Sequence, residues 1–485
     1  MGVSMTKSHS FDVVVVGGGA IGLAIAHELA QRRSGIALIS PRVPIGAAST
    51  AAGAMIDAFG EMSEMKSSDD AARLEIEIEA QRMYPKWLEG ITERSGHSIF
   101  QRKGVFVISN RDGTYDEMKM RLIKEQLRNY GEEFEKPHPS EVPGLQPNHQ
   151  FPVHEALFIP NAMSVDTAQL LPALEASIAK DSRVLRIYDE VRSVDHSDGT
   201  WRLVTACGST YVTRNLILSA GAYTLSVLGE EIRKRARLPK LFFGRGASCT
   251  VVGGPPVPYT VRTPNRILAC GFHMVPRAAE RTYLGATNWF GTQIDKPKGP
   301  SVGELHSLLD SLMNQLNSSL YAVSIEATYW GLRPVSQYDR PMVGLTHLPN
   351  LYIATGTHRT GVHLAPAVAR IVAAELESGS TSPANPFSAC RTETDEVTRS
   401  LSNGVRALLA QSLFPNGSLP FNRIAELQVF ITSILELALD RNQDVSLLED
   451  LRTIYTEITS DEESMMRMFY EVLEQRLSRA GPYPT

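Results

Sequence analysis

Cysteine is scarce in this chain. The four residues, Cys207, Cys249, Cys270 and Cys390, are scattered without CxxC spacing. That distribution offers neither a disulfide framework nor a thiolate zinc site, so no metal is expected, and it suits a reducing cytoplasm. Long apolar runs are missing as well, since no segment reaches the roughly 18 uninterrupted apolar residues of a membrane span. Basic charge is not in excess: 48 Lys and Arg face 53 Asp and Glu, a formal net charge of -5. This balance leaves no electrostatic footprint for nucleic acid or an anionic membrane surface. The opening MGVSMTKSHS lacks the apolar core of a secretion signal. It fits the loose Met-Gly-x-x-x-Ser/Thr myristoylation pattern, which is common by chance, and residues 1–10 are expected to form a disordered leader without an anchor.

What is present is the composition of a soluble enzyme. The 485 residues, 43% hydrophobic and 21% charged, exceed one small core, and two to three domains are the expectation. The first element is Phe11-Asp-Val-Val-Val-Val16, followed by Gly17-Gly-Gly-Ala-Ile-Gly22 and an apolar helical pattern through Ala30. The valine run predicts a strand buried on both faces of a parallel sheet. Gly17 permits the tight turn, Gly19 lets backbone approach a pyrophosphate, and Gly22 allows helix and strand to pack closely. The N–H groups opening the helix would then face phosphate, aided by the helix dipole.

A second strand, Gly35–Ile39, ends where the dinucleotide fingerprint places an acidic residue for the ribose, but Ser40, Pro41 and Arg42 stand there. Ser40 could bond a ribose oxygen and Arg42 could lie over an adenine or near a phosphate; equally, both could occupy a plain surface turn. The next stretch, Gly46 to Ile56, is built of residues with almost no side chain. It suits backbone wrapped closely around a flat ligand, or a flexible loop.

Far downstream, Trp330-Gly-Leu-Arg-Pro334 leads to a strand, Asn350–Gly356, then Thr357-His-Arg-Thr-Gly-Val-His363 and a helix from Ala367 to Leu376. Lys103–Ile108, Ser164-Val-Asp166, Leu216–Ala222, Val275-Pro-Arg277 and Gly285-Ala-Thr287 fall between in order. Together with Gly17–Gly22, these motifs resemble the D-amino acid oxidase superfamily of FAD-dependent oxidoreductases, and within it the glycine oxidase and sarcosine oxidase branch. The resemblance spans roughly residues 10 to 385. It implies an α/β (mixed α+β) fold in which a Rossmann-like FAD domain is joined to a mixed-sheet substrate domain of the p-hydroxybenzoate hydroxylase type. The FAD domain would be discontinuous, from 11–90, 150–225 and 335–385, and the substrate domain from 91–149 and 226–334.

The resemblance further implies that Ala20, Ile21, Ser40, Ala48, Ser49, Ala52, Gly53 and Ala54 line FAD from the N-terminal side. Val191 would touch the adenine end, Ala220 and Gly221 would pass close to the dinucleotide, and Thr357, His358, Arg359, Thr360, Gly361, Val362 and His363 would wrap the isoalloxazine. A helix beginning near Gly361 would aim N–H groups at the flavin N1–C2=O edge, where charge gathers on reduction. With no cysteine between Cys270 and Cys390, noncovalent FAD is expected.

Arg333 and Arg359 match positions that hold the substrate carboxylate in glycine oxidase-like enzymes, a task suited to a planar guanidinium fork. The implied reaction oxidises the C–N bond of a small amino acid or N-substituted amino acid by hydride transfer to flavin N5. The imine would hydrolyse to an oxo product, and O2 would reoxidise the flavin to give H2O2. His273 stands where such sequences place a substrate-contacting tyrosine. It could bond a different substrate group or take a proton from the amine, or hold only a structural hydrogen bond; a substrate other than glycine rests on this residue. Trp289 and Tyr329 could wall the pocket or belong to the core. Alternatives are a FAD-dependent 2-hydroxy-acid dehydrogenase and a non-catalytic flavin-binding partner subunit.

Beyond Pro386 the composition shifts to four amphipathic helical patterns within 390–485, predicting an all-helical extension that stabilises, dimerises or docks a partner.

Overall fold

The computed structural model describes residues 9–390 apart from 43–44, 61, 63–67, 111–114, 255–256, 265–268, 292–298 and 337–339. The predicted C-terminal helices and residues 1–8 of the predicted leader lie outside the described residues. His9 and Ser10, read as leader, instead open a strand, because their backbones pair with Tyr211 and Val212.

The first sheet holds eight strands. They are β1 (His9–Val16), β2 (Ile36–Ile39), β6 (Val184–Ile187), β7 (Val191–Ser197), β8 (Thr200–Thr205), β9 (Thr210–Leu218), β16 (Met342–Leu345) and β17 (Leu351–Thr355). The spine runs β16-β17-β9-β1-β2-β6, and β17, β9, β1, β2 and β6 are mutually parallel. Val13, Val14 and Val15 are fully buried, with Val13 and Val15 in one core and Val14 in the other. Burial on both sides explains the uninterrupted valine run. Helices α1 (Ala20–Ala30), α2 (Ser68–Ser95), α4 (Thr167–Ala179) and α8 (Ala365–Ser378) cover one face, while α3 (Tyr115–Asn129) lies against the other sheet. The short α5 (Thr224–Leu228) and α6 (Glu230–Arg235) pack on the opposite face.

The second sheet is mixed and holds nine strands. These are β3 (Met55–Ile56), β4 (Gln101–Ser109), β5 (Glu155–Val165), β10 (Leu241–Val252), β11 (Thr260–Arg262), β12 (Ala269–Pro276), β13 (Thr282–Thr287), β14 (Trp289–Gly291) and β15 (Ser324–Ser336). Its path is β14-β10-β13-β12-β11-β4-β5-β3, with β15 paired along β10, and α7 (Val302–Gln315) packs on it. β5 falls in the 150–225 stretch read as cofactor domain, yet it pairs with β4 in this second sheet, Ile108 facing Ala156.

Candidate active site and cofactor cavity

The carboxyl ends of the parallel strands open into a cavity of about 560 Å³ that reaches across to the second sheet. Val16, Ile39, Ser219 and Thr355 mark the strand ends, while Arg262, His273, Tyr283 and Arg333 come from the second sheet. Ligands of doubly wound sheets bind at this kind of crevice.

The glycine turn is built for close approach. Gly17 has φ +119, and a Cβ there would lie 2.3 Å from the Ser219 carbonyl oxygen. A Cβ on Gly22 would come within 1.9 Å of the Gly17 carbonyl oxygen, so Gly22 serves helix–strand packing and does not itself line the cavity. Gly19 caps α1, whose first turn has no acidic residue. The Ala20 N–H donates to Ser49 Oγ at 3.0 Å, tying the small-residue loop to the helix. The positive helix end is thus presented without a competing carboxylate.

At the ribose position, Ser40 is 4% exposed and accepts a 2.8 Å hydrogen bond from Arg186 Nη2, which itself pairs with Glu175 at 2.6 Å. Arg42, expected over an adenine or near a phosphate, does not line the cavity; its guanidinium lies 4.5 Å from the Tyr188 ring centroid, with Arg186 4.2 Å from the same ring. A cation–π contact holds it there.

Every other predicted contact lines the cavity: Gly17, Gly19, Ala20, Ile21, Ser40, Ala48, Ser49, Ala52, Gly53, Ala54, Val191, Ala220, Gly221 and Thr357 through His363. The last segment differs from expectation in one respect. Residues 361–364 form turns, and α8 begins at Ala365, with Pro366 in its first positions. Thr360 accepts from Leu364 N–H, and Pro366 is tolerated in the first turn of α8, where its missing N–H has no intrahelical acceptor to lose. Two bonds to α2 fix this segment: the Tyr84 hydroxyl donates to Val362 O, and His363 Nε2 lies 2.8 Å from Glu77 O.

Arg333 and Arg359 both face this cavity. Arg333 Nη1 donates to Thr287 O at 3.0 Å and Asn288 Oδ1 at 3.1 Å. A Cβ on Gly246 would fall 2.1 Å from Nη2, so that glycine makes room for the guanidinium. His358 sits between them in sequence and adopts φ 48. Its accessible surface lines the cavity, and burial followed by the charges of Arg359 and Arg333 holds its pKa well below the usual 6.5, keeping the ring neutral.

His273 is 3% exposed, with Nδ1 2.8 Å from Gly271 O. A carbonyl only accepts, so Nδ1 carries the proton and Nε2 is the acceptor. Its ring stacks on Tyr283, centroids 5.7 Å apart at 13°, and the Tyr283 hydroxyl donates to Ala51 O at 2.7 Å. A Cβ at Gly53 or Gly285 would sit 2.8 or 2.5 Å from Nε2, so two glycines admit the ring. Tyr329 does not line the cavity and lies 3.5 Å from Thr250 Oγ1; the side chain of Trp289 falls outside the described residues.

Three residues escaped sequence reading. Arg277, 6% exposed, donates to Val165 O, Ala52 O at 2.9 Å and Gly53 O at 3.1 Å, with Asp166 3.8 Å away. It therefore clamps the small-residue loop to the second sheet. Its presence in Val275-Pro-Arg277 was a signal of order, not of role. Asp57 and Arg262 also line the cavity, and no motif marks either.

Among the described residues no cluster could hold a metal, and no helix is long and apolar enough to cross a membrane. None of Cys207, Cys249 and Cys390 lines the cavity, in keeping with noncovalent cofactor.

The comparisons with known proteins fit this geometry. A family model described as FAD dependent oxidoreductase matches residues 12–375. A glycine oxidase from Geobacillus kaustophilus is 27% identical over 79% of this chain and 98% of its own length. A bifunctional ThiO/ThiG protein from Trichormus variabilis is 25% identical over 75% of this chain and 52% of its own. The crystal structure of glycine oxidase from Geobacillus kaustophilus superposes with TM-score 0.68 at 24% identity, over 80% of this chain and all of that one. An iminodiacetate oxidase from a Chelativorans species gives 0.66 at 20% identity, over 79% of this chain and all of that one, and both show a shared fold. A glycine turn that tolerates no Cβ, a helix end without carboxylates and a crevice spanning two sheets fit an extended dinucleotide. The chain belongs to the FAD-dependent oxidoreductase family of the D-amino acid oxidase type.

Proposed function

We propose that this flavoprotein oxidises the C–N bond of a small amino acid or N-substituted amino acid, giving an imine that hydrolyses to an oxo product, with O2 as the final acceptor. One observation carries the reading: Arg333 and Arg359, from separate parts of the chain, line the cavity that begins at the glycine turn. Two guanidinium groups beside a flavoprotein cavity suit a carboxylate. Bound FAD supplies the two-electron acceptor for hydride leaving the α-carbon.

The chain's own residues contribute position and proton control. Gly17, Gly19 and the Ala48–Ala54 loop would hold the dinucleotide, with the first sheet as cofactor domain and the second as substrate domain. Arg333 is pre-set by Thr287 and Asn288, so the carboxylate would meet an oriented donor. The amine must be neutral to assist hydride departure. Neutral His358 adds no positive charge against it, and the Gly271 contact fixes the His273 tautomer with Nε2 unprotonated.

An anaerobic flavin-reduction screen tests this. Bleaching near 450 nm by amino acids or N-alkyl amino acids, with ammonia or amine released, is the expected result. Bleaching by 2-hydroxy acids alone would transfer the chain to hydroxy-acid oxidation, and no bleaching by either class would leave a non-catalytic flavin-binding role.

A further inference from the structure

The open edge of Arg333 is set by a residue that no motif marks. Arg333 stands on β15 opposite Gly244 of β10, and Gly246 stands opposite Gly331. Gly244 and Gly246 are two apart in one strand and so face the same side. Neither has a φ in the left-handed region, so space requires these glycines, not conformation. A Cβ at Gly246 would fall 2.1 Å from Arg333 Nη2, and one at Gly244 would fall 2.5 Å from Asn288 Oδ1 and 3.5 Å from His358 Nε2. The two glycines are thus a floor under Arg333, Asn288 and His358. Asn288, between β13 and β14, is 9% exposed and does not itself line the cavity.

A guanidinium Nη carries two N–H groups. Both on Arg333 Nη1 are occupied, by Thr287 O at 3.0 Å and Asn288 Oδ1 at 3.1 Å. Nε and Nη2 keep accessible surface and have no acceptor among the described residues. Those two nitrogens carry the parallel N–H pair that meets a carboxylate side-on. Arg245, between the two glycines and on the opposite face of β10, shows the contrast: its Nε and Nη2 are both closed on Glu304 at 2.9 Å. Among the described residues no carboxylate pairs with Arg333. A half-buried cation without a counter-ion does little for the fold. Neutral acceptors orient it without cancelling its charge, whereas an aspartate at 288 would have the same reach and would neutralise it from behind.

We propose that Asn288 is a positioning residue that fixes which edge of Arg333 meets the substrate. It fills Nη1 with a neutral acceptor and leaves Nε and Nη2, their charge uncompensated, to take one planar carboxylate side-on. This rests on the amino-acid reading above for its catalytic consequence, though not for carboxylate binding.

Calorimetry on the FAD-loaded full chain tests it with propionate, a carboxylate without an amine. Asn288→Asp keeps the shape of the side chain and closes the fork with a charge, while Asn288→Ala removes the contact and adds none. Propionate should bind wild type tightest, Asn288→Ala next and Asn288→Asp weakest. The aspartate variant should fall about tenfold or more below wild type, the scale of one hydrogen bond to a charged group. A merely structural asparagine gives the reverse order of variants, because the near-isosteric aspartate then disturbs less than truncation. Gly244→Ala, whose methyl would crowd Oδ1, is the second arm should those variants fail to fold, and it should weaken propionate by about threefold or more. No propionate binding by wild type, Asn288→Asp binding as tightly as Asn288→Ala, or an unchanged Gly244→Ala would overturn the assignment. The expected order with no amino acid reducing the flavin would keep the assignment and discard the oxidase reading.

Discussion

Gly246→Ala is a way to move Arg333 without touching it. Gly246 lies in β10 opposite Gly331, outside the cavity lining, and its φ is not in the left-handed region. Alanine is therefore conformationally allowed. Its methyl would stand 2.1 Å from Arg333 Nη2, 2.2 Å from Nη1 and 2.4 Å from Cζ. Non-bonded carbons and nitrogens settle at about 3.5 Å, so the guanidinium must retreat by roughly 1 Å or more. That breaks its fit to Thr287 O and Asn288 Oδ1. Because the clashing atoms end a flexible side chain, the fold should adapt. A misplacement of about 1 Å at a positioning group can cost about a hundredfold, or about 2.7 kcal/mol of transition-state stabilisation. Steady-state kinetics on the best substrate of the reduction screen should show kcat/KM down about a hundredfold, with flavin content and Tm near wild type. In an Arg333→Met background the same change should add little, since both remove one interaction. A Gly246→Ala enzyme within threefold of wild type, or an undiminished further loss in the Arg333→Met background, would refute the reasoning.

Three further expectations follow from packing and charge. Arg277→Met would strand the carbonyls of Ala52 and Gly53 and the Asp166 carboxylate; urea unfolding should show about 3–5 kcal/mol lost, the usual scale for one partner removed from a buried charged cluster. Gly17→Ala places a methyl 2.3 Å from a backbone oxygen at φ +119, so the purified protein should lose bound flavin, read as 450 nm absorbance against protein. His27, which touches Ser177 Oγ at 2.9 Å, is held to a pKa of about 4 by burial and then by Arg94. An unfolded histidine takes its proton near 6.5, so between pH 6.5 and 4 the unfolded state binds more protons and stability falls as pH falls. The loss should reach about 3 kcal/mol by pH 4, and His27→Asn should flatten it in denaturant titrations across that window.

Local chemistry made much of the first sheet legible. A valine run, a glycine turn and an apolar helix announce a buried parallel strand feeding a crevice, because each residue's role follows from sterics within a few neighbours. The two arginines were legible through motif context. Helix α8 was legible as an element, but its start was not: Gly361 looked like an opening, while the turns from 361 to 364 and Pro366 set it at Ala365. Tyr329, open between pocket wall and core, and Arg42, open between cofactor contact and surface turn, both lie outside the cavity lining, Tyr329 paired in β15 and Arg42 against the Tyr188 ring.

By itself the sequence determined the dinucleotide turn, which depends on residue type at short spacing, while Arg333 and Arg359 were marked only by the resemblance of their motifs to the D-amino acid oxidase superfamily. That the two ends meet at one cavity was implied by the resemblance and is seen in the fold; tertiary structure alone decided that Arg277 laces the small-residue loop to the second sheet and that Asp57 and Arg262 line the same cavity. Those contacts join residues distant along the chain. Each depends on the register of strands such as β11 on β12, and a one-residue slip would turn every such side chain to the opposite face.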